Sequence, residues 1–186
     1  MTVEEQFEEL QQELRGLEEQ RESLLSDARK LHSLAKRAMY QTHRDLLGEA
    51  AALFKQAEPM AKGLISAYRG NPKLKFGAVT AALQEWCECY AYYVYLKQGR
   101  LLLRSDVGLE TEDYLLALAD LSGELVRRAV SLSIDKKVAD VKRIRAFVDS
   151  LYGHFLGFDF RGGELRKKTD AIRWNLQKIE ELLVRQ

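Results

Sequence analysis

Residues 3–38, VEEQFEELQQELRGLEEQRESLLSDARKLHSLAKRA, form the segment that decides the fold. Apolar side chains recur there at alternating steps of four and three residues, and Arg21 is the single interruption. The pattern is carried by Val3, Phe7, Leu10, Leu14, Leu17, Leu24, Ala28, Leu31, Ala35 and Ala38. This heptad repeat predicts a long N-terminal helix with a narrow apolar seam, ending near Gly48. Because alanine lets neighbouring helices approach closely, we expect the alanine-rich end to pack at the edge of a helical bundle.

The rest of the chain also has a helical composition, with only 2 prolines and 12 glycines in 186 residues. Apolar periodicity and turn signals predict further helices at about 49–68, 73–103, 112–133, 137–156 and from 164 to the C-terminus. Residues 104–111 are expected to form a loop, with Thr111 as the N-cap of the following helix. The predicted fold class is therefore all-α. We expect residues 1–186 to form a single domain, a bundle of about six or seven antiparallel helices.

Several classes of protein are disfavoured by the same sequence. No apolar run approaches the roughly 20 residues that span a bilayer, so no membrane association is expected. The N-terminal residues are acidic, which is the wrong sign for a signal or transit peptide. Cys87 and Cys89 would point to different faces of a helix, so free thiols are expected. These features favour a cytoplasmic location.

Four carboxylates lie within apolar stretches, where an uncompensated charge is costly. Glu85 and Glu88 are three residues apart, and Asp120 and Glu124 are four apart, so on helices each pair shares one face. Carboxylate oxygens suit Mg²⁺, with Mn²⁺ as an alternative, and a spare carboxylate can act as a general base. A di-iron site is excluded because no histidine follows a glutamate by three residues. The remaining alternative is that Glu85 and Glu124 face solvent and pair with basic residues.

Basic residues recur on the polar face of the long first helix in two heptad rows. One row holds Arg29, Lys36 and His43, and the other holds Lys30, Arg37 and Arg44. At 1.5 Å per residue these six side chains form a stripe about 20 Å long. A stripe of that length could follow a nucleic-acid backbone over several nucleotides. A solvated helix face would show the same pattern.

Three segments together resemble the translin family, and within it the Trax branch. Leu83-Gln-Glu-Trp-Cys-Glu88 is similar to the Trax stretch that supplies two metal-binding glutamates. Asp113-Tyr-Leu-Leu-Ala-Leu-Ala-Asp-Leu-Ser-Gly-Glu-Leu125 resembles the Trax segment around its catalytic aspartate. The basic residues between positions 29 and 44 match a basic helix of that branch. The resemblance extends from about residue 21 to the C-terminus.

The resemblance implies an endoribonuclease that uses Mg²⁺ to cleave single-stranded or partly paired RNA. It assigns Glu85, Glu88 and Asp120 as metal ligands, with Glu124 completing the catalytic site. It further implies a homo-oligomer, in this family a hollow octamer with inward-facing sites. The C-terminal helix, from Glu164 onward, is closer to translin itself, which binds RNA and single-stranded DNA without cutting. A non-catalytic binding protein and a purely structural helical assembly are therefore the alternatives.

Overall fold

The computed structural model describes residues 1–184, and within them it contains seven α-helices and no β-strand. The all-α prediction is therefore confirmed. The helices are α1 (Val3–His43), α2 (Leu47–Gly70), α3 (Gly77–Gln98), α4 (Arg104–Val107), α5 (Thr111–Ile134), α6 (Val138–Leu156) and α7 (Gly163–Val184). A 3₁₀ turn at Pro72–Leu74 separates α2 from α3. The last two residues of the predicted C-terminal helix, 185 and 186, lie outside the described part.

Helix α1 has 41 residues and is therefore about 60 Å long. It begins with a capping box in which the Thr2 hydroxyl accepts from the Glu5 backbone and the Glu5 carboxylate accepts from the Thr2 backbone. Its first buried residue is Ala28, and from there the heptad seam packs against α2 and α3. The alanine-rich end of the seam thus lies inside the bundle, and the N-terminal part of α1 extends from it.

Helix α3 occupies the centre of the bundle, packed between α1, α2 and α5. Its core side chains are buried on several sides, including Trp86, Cys87, Tyr92 and Val94. Both cysteines are free thiols, as expected. Helix α5 in turn packs against α6 and α7, so the chain is layered in the order α1–α2, α3, α5, α6–α7.

Some helix boundaries differ from the predicted ones for local reasons. Helix α1 ends at His43, before Gly48, because Asp45 adopts a left-handed conformation with φ of 60°. Residues 104–107, predicted as loop, form the short helix α4. Gly108, with φ of 70°, is the C-cap that ends this helix. Thr111 does not cap α5; it is the first helical residue, and its hydroxyl accepts a hydrogen bond from Arg104.

The described helices include none that is both long and apolar enough to cross a membrane. This finding agrees with the absence of a long apolar run in the sequence.

Candidate active site

Helices α3 and α5, which carry the two predicted acidic pairs, lie side by side. The pKa of Glu88 is raised from 4.5 to about 8, first by burial and then by the negative charges of Asp120, Glu85 and Glu124. The charges of the other three carboxylates therefore reach Glu88. We call these four residues the acidic cluster.

Glu85 is partly covered by basic groups of α1. Its carboxylate lies 3.9 Å from Lys36 Nζ and 3.9 Å from His32 Nε2. The Glu85 side chain is 28% exposed, so it is only partly open to solvent. Glu85 thus has a basic neighbour, as the alternative to a metal site predicted, and that lysine belongs to the basic stripe.

Glu124 is held by a histidine at the end of α1. His43 Nε2 lies 2.5 Å from Glu124 Oε2, and His43 Nδ1 lies 3.1 Å from the Tyr92 hydroxyl. When the buried Tyr92 hydroxyl donates to Nδ1, the neutral His43 ring carries its proton on Nε2. This Nε2–H group then donates to Glu124. The bond from His43 lowers the pKa of Glu124, which keeps this carboxylate ionised at neutral pH.

Asp120 is bonded to a lysine from the C-terminal helix. Lys168 Nζ lies 2.5 Å from Asp120 Oδ1, and both side chains are partly exposed. Helix α7 is fixed against α5 close to this pair, because Asn175 Nδ2 donates to Ser122 Oγ over 2.9 Å. The Ser122 hydroxyl is fully buried and itself donates to the Ala119 carbonyl. The position of Lys168 therefore depends on packing between α5 and α7.

Glu88 is the member of the acidic cluster without an ion pair or hydrogen bond to another residue of the described chain. Within residues 1–184, no three His, Cys, Asp or Glu side chains are grouped as a ready metal site. The cluster nevertheless has the donor chemistry that Mg²⁺ prefers, with carboxylates only. The residues fit the ion in kind, while Lys36, His43 and Lys168 already pair with three of them.

The basic stripe on α1 is largely exposed, as expected. Lys30 pairs with Asp27, and the Arg44 guanidinium donates to the Tyr40 hydroxyl. Arg29 and Arg37 are exposed. His43 differs from the other five, because its ring is only 11% exposed and is directed to Glu124. The stripe and the acidic cluster are continuous, since Lys36 and His43 reach Glu85 and Glu124.

Sequence reasoning missed two members of this site, Lys168 and Tyr92. Lys168 precedes the buried Thr169 and Ile172 of α7, and nothing in that spacing indicates Asp120 as its partner. Tyr92 belongs to a run of tyrosines in which no single member stands out. Both become visible only once α1, α5 and α7 are placed around α3.

The model of the translin family matches residues 5–185. An uncharacterised protein of Methanocaldococcus jannaschii is 29% identical over 105 residues, 55% of this chain and 47% of that protein. Translin of Gallus gallus is 28% identical over 107 residues, 50% of this chain and 47% of that protein. The matched region thus spans about half the length of these curated relatives.

Solved structures agree over almost the whole chain. The crystal structure of apo-NeC3PO matches with a TM-score of 0.91 at 24% identity, covering 99% of this chain and 97% of that one. The crystal structure of AfC3PO matches with a TM-score of 0.86 at 25% identity, covering 96% and 95%. A structure of AfC3PO in complex with duplex RNA has a TM-score of 0.88 at 24% identity, with the same coverage. These likenesses confirm the fold.

Proposed function

The chain belongs to the translin family, and we propose that it is a Mg²⁺-dependent endoribonuclease of the Trax-like branch. The observation that carries this proposal is the placement of the buried Glu88 within reach of three other carboxylates, one of which, Glu85, lies beside Lys36 of the exposed basic stripe. A binding protein needs the stripe alone. Burial of Glu88 near three other acids is costly, and a bound cation would offset that cost.

The relatives support nucleic acid as the partner. One structural neighbour was solved in complex with duplex RNA. Two of the curated relatives are named translin. We propose RNA as the substrate, with single-stranded DNA as an alternative ligand. By the same family relationship we propose a homo-oligomer, an octamer, that acts in the cytoplasm.

In the proposed reaction Glu85, Glu88 and Asp120 would hold Mg²⁺. When bound, this ion supplies charge stabilisation at the phosphate and lowers the pKa of a coordinated water. Glu124 accepts the proton of the attacking water at Oε1, an atom to which no described residue donates a hydrogen bond. His43 keeps Glu124 in place through its bond to Oε2. The bond from the water oxygen to phosphorus would form in line with the phosphorus–oxygen bond that breaks, and the leaving oxygen would take its proton from solvent.

The exposed members of the stripe position the substrate. Arg29, Lys30, Lys36, Arg37 and Arg44 offer cationic groups along one side of α1. Since Lys36 lies next to Glu85, a phosphate backbone that follows the stripe reaches the acidic cluster at the C-terminal end of α1. The stripe supplies affinity for phosphates, and the cluster supplies the chemistry.

The proposal is tested by incubating a labelled single-stranded RNA with the wild-type protein and with Asp120→Asn, each with Mg²⁺ and with EDTA. We expect cleavage only by the wild type in Mg²⁺. Glu112→Gln, a change at an exposed glutamate of α5, is the matched control and should cleave normally. Equal cleavage by wild type and Asp120→Asn, or cleavage by neither, contradicts the enzymatic function.

The second candidate is RNA binding without cleavage. It is favoured by one observation, the ion pair of Asp120 with Lys168, which leaves this carboxylate neutralised without a metal. Tight, salt-sensitive RNA binding by a wild-type protein that never cleaves in Mg²⁺ or Mn²⁺ would establish this function in place of the first. Absence of RNA binding at low salt would leave a structural assembly.

A further inference from the structure

We propose that Lys168 is the resident counter-ion of Asp120 in the metal-free protein and that a divalent cation must displace it to bind. This inference rests on the proposed metal site and adds a residue that limits the affinity of that site. Lys168 belongs to α7, outside both helices that carry the acidic cluster. The proposal therefore gives the C-terminal helix a role in cation binding.

The geometry of the pair is the first argument. With 2.5 Å between Lys168 Nζ and Asp120 Oδ1, the ammonium group occupies one lone-pair direction of that oxygen. A magnesium ion needs its carboxylate oxygens at about 2.1 Å. An ammonium group and a doubly charged ion at the same oxygen would repel each other, because both are positive and only a few ångströms would separate them. The two cations therefore compete for Asp120.

The charge around the pair is the second argument. Lys168 is the cation that opposes the effect of the three other carboxylates on Glu88. Beyond its pairing with Asp120, it thus opposes the negative charge around Glu88, as a bound cation would. Because no three potential ligands are grouped as a ready metal site, some side chain has to move before an ion can be held.

The third argument is that Lys168 can leave without disturbing the fold. Its side chain is 34% exposed and that of Asp120 is 39% exposed, so both reach solvent. Helix α7 is held independently, through Asn175 and through buried residues such as Ile172 and Ile179. A lysine has four rotatable bonds, so its ammonium group can swing into water while the helix stays in place.

The test is a calorimetric titration of MnCl₂ into metal-free protein without RNA. We expect Lys168→Met to bind Mn²⁺ roughly tenfold more tightly than the wild type, since a competing and repelling cation is gone. Lys168→Arg keeps the charge and should bind close to wild type. Lys167→Met is the matched control, because Lys167 is the neighbouring residue and pairs with Glu164 at the surface. Circular dichroism of each variant confirms that it is folded.

A second measurement follows the lysine itself. Acylation of lysine amines by a water-soluble reagent, read by mass spectrometry, should increase several-fold at Lys168 when Mg²⁺ is added. The same treatment should leave Lys167 unchanged. Mn²⁺ binding that is equal in the wild type and Lys168→Met, with no change in Lys168 acylation, would overturn this inference and leave the proposed metal site standing. Absence of Mn²⁺ binding by all variants would overturn both.

Discussion

Glu88 is a carboxyl group whose surroundings disfavour its charge. Burial and three neighbouring carboxylates raise its pKa to about 8, while its value in an unfolded chain is near 4.5. Between pH 4.5 and about 8, Glu88 therefore keeps its proton in the folded protein and has lost it in the unfolded chain. The stability that protonated Glu88 contributes is present in full below pH 4.5 and is lost as the pH rises to about 8.

Glu88→Gln should remove this pH dependence. In EDTA at pH 8 we expect the variant to unfold several degrees above the wild type, since about 1 kcal/mol shifts the midpoint by about 2–4 °C in a chain of this size. At pH 4.5 the two midpoints should converge. Thermal unfolding followed by circular dichroism measures both, with Glu112→Gln as the control. A difference that does not vary with pH would show that Glu88 is not buried among like charges.

His43 acts on Glu124 through its Nε2 bond and is shielded from solvent. His43→Gln should lower the cleavage rate by roughly 10- to 100-fold, the usual cost of losing a residue that orients a functional group. The acid limb of the pH–rate profile should move to higher pH, because the pKa of Glu124 is no longer lowered.

Arg44→Gln, one residue further along the chain, is the contrasting variant. It should leave the acid limb of the cleavage profile unchanged and should weaken RNA binding, since Arg44 is exposed on the stripe. If His43→Gln weakened RNA binding and left the pH profile unchanged, His43 would belong to the nucleic-acid-binding surface that the heptad spacing predicted.

At the residue scale the sequence predicted which acids share a helix face but not which residues they contact. Spacings of three and four residues on α3 and α5 placed each pair on one face, because helix geometry alone determines this. Lys168 is 48 residues from Asp120, and His43 is 81 residues from Glu124. Such contacts depend on how whole helices pack, which local spacing does not encode.

Helix α1 divides into two parts with different surroundings. From Ala28 onward its seam is buried, while Val3, Phe7, Leu10 and Leu14 are between 46% and 66% exposed. The heptad repeat predicted the helix and the side chains of its seam, although the helix ends at His43 and not near Gly48. It did not reveal which part of the seam the chain's own bundle would cover, because a heptad pattern is the same whether its partner lies within the chain or in another subunit.

The exposed part of the seam is expected to pack against another subunit. Phe7→Ser combined with Leu14→Ser should lower the mass of the assembly in multi-angle light scattering and should leave the helical content of the subunit intact. Leu31→Ala, in the buried part, should instead destabilise the subunit by about 2–5 kcal/mol through the cavity that it leaves. An unchanged assembly mass for the double variant would show that oligomers form through other surfaces.

Across the whole molecule, the basic stripe and the acidic cluster adjoin through Lys36 and His43, so the proposed phosphate binding and the proposed cleavage are adjacent but use different side chains. Single-stranded RNA affinity should fall with salt, with a logarithmic slope of about −0.7 for each phosphate contact. Arg29 and Arg37 lie on the exposed part of the stripe, away from Glu85 and Glu124, and replacing both with alanine should make the slope shallower by about 1.4 units.

The same double variant should bind Mn²⁺ as tightly as the wild type, because neither arginine contacts the acidic cluster. Fluorescence anisotropy of labelled RNA at several salt concentrations measures the slope, and calorimetry measures the affinity for Mn²⁺. Asp120→Asn should behave in the opposite way, with weaker Mn²⁺ binding and an unchanged slope. If both variants changed both quantities together, the stripe and the cluster would be one electrostatic site, and the division of labour between phosphate binding and cleavage would be wrong.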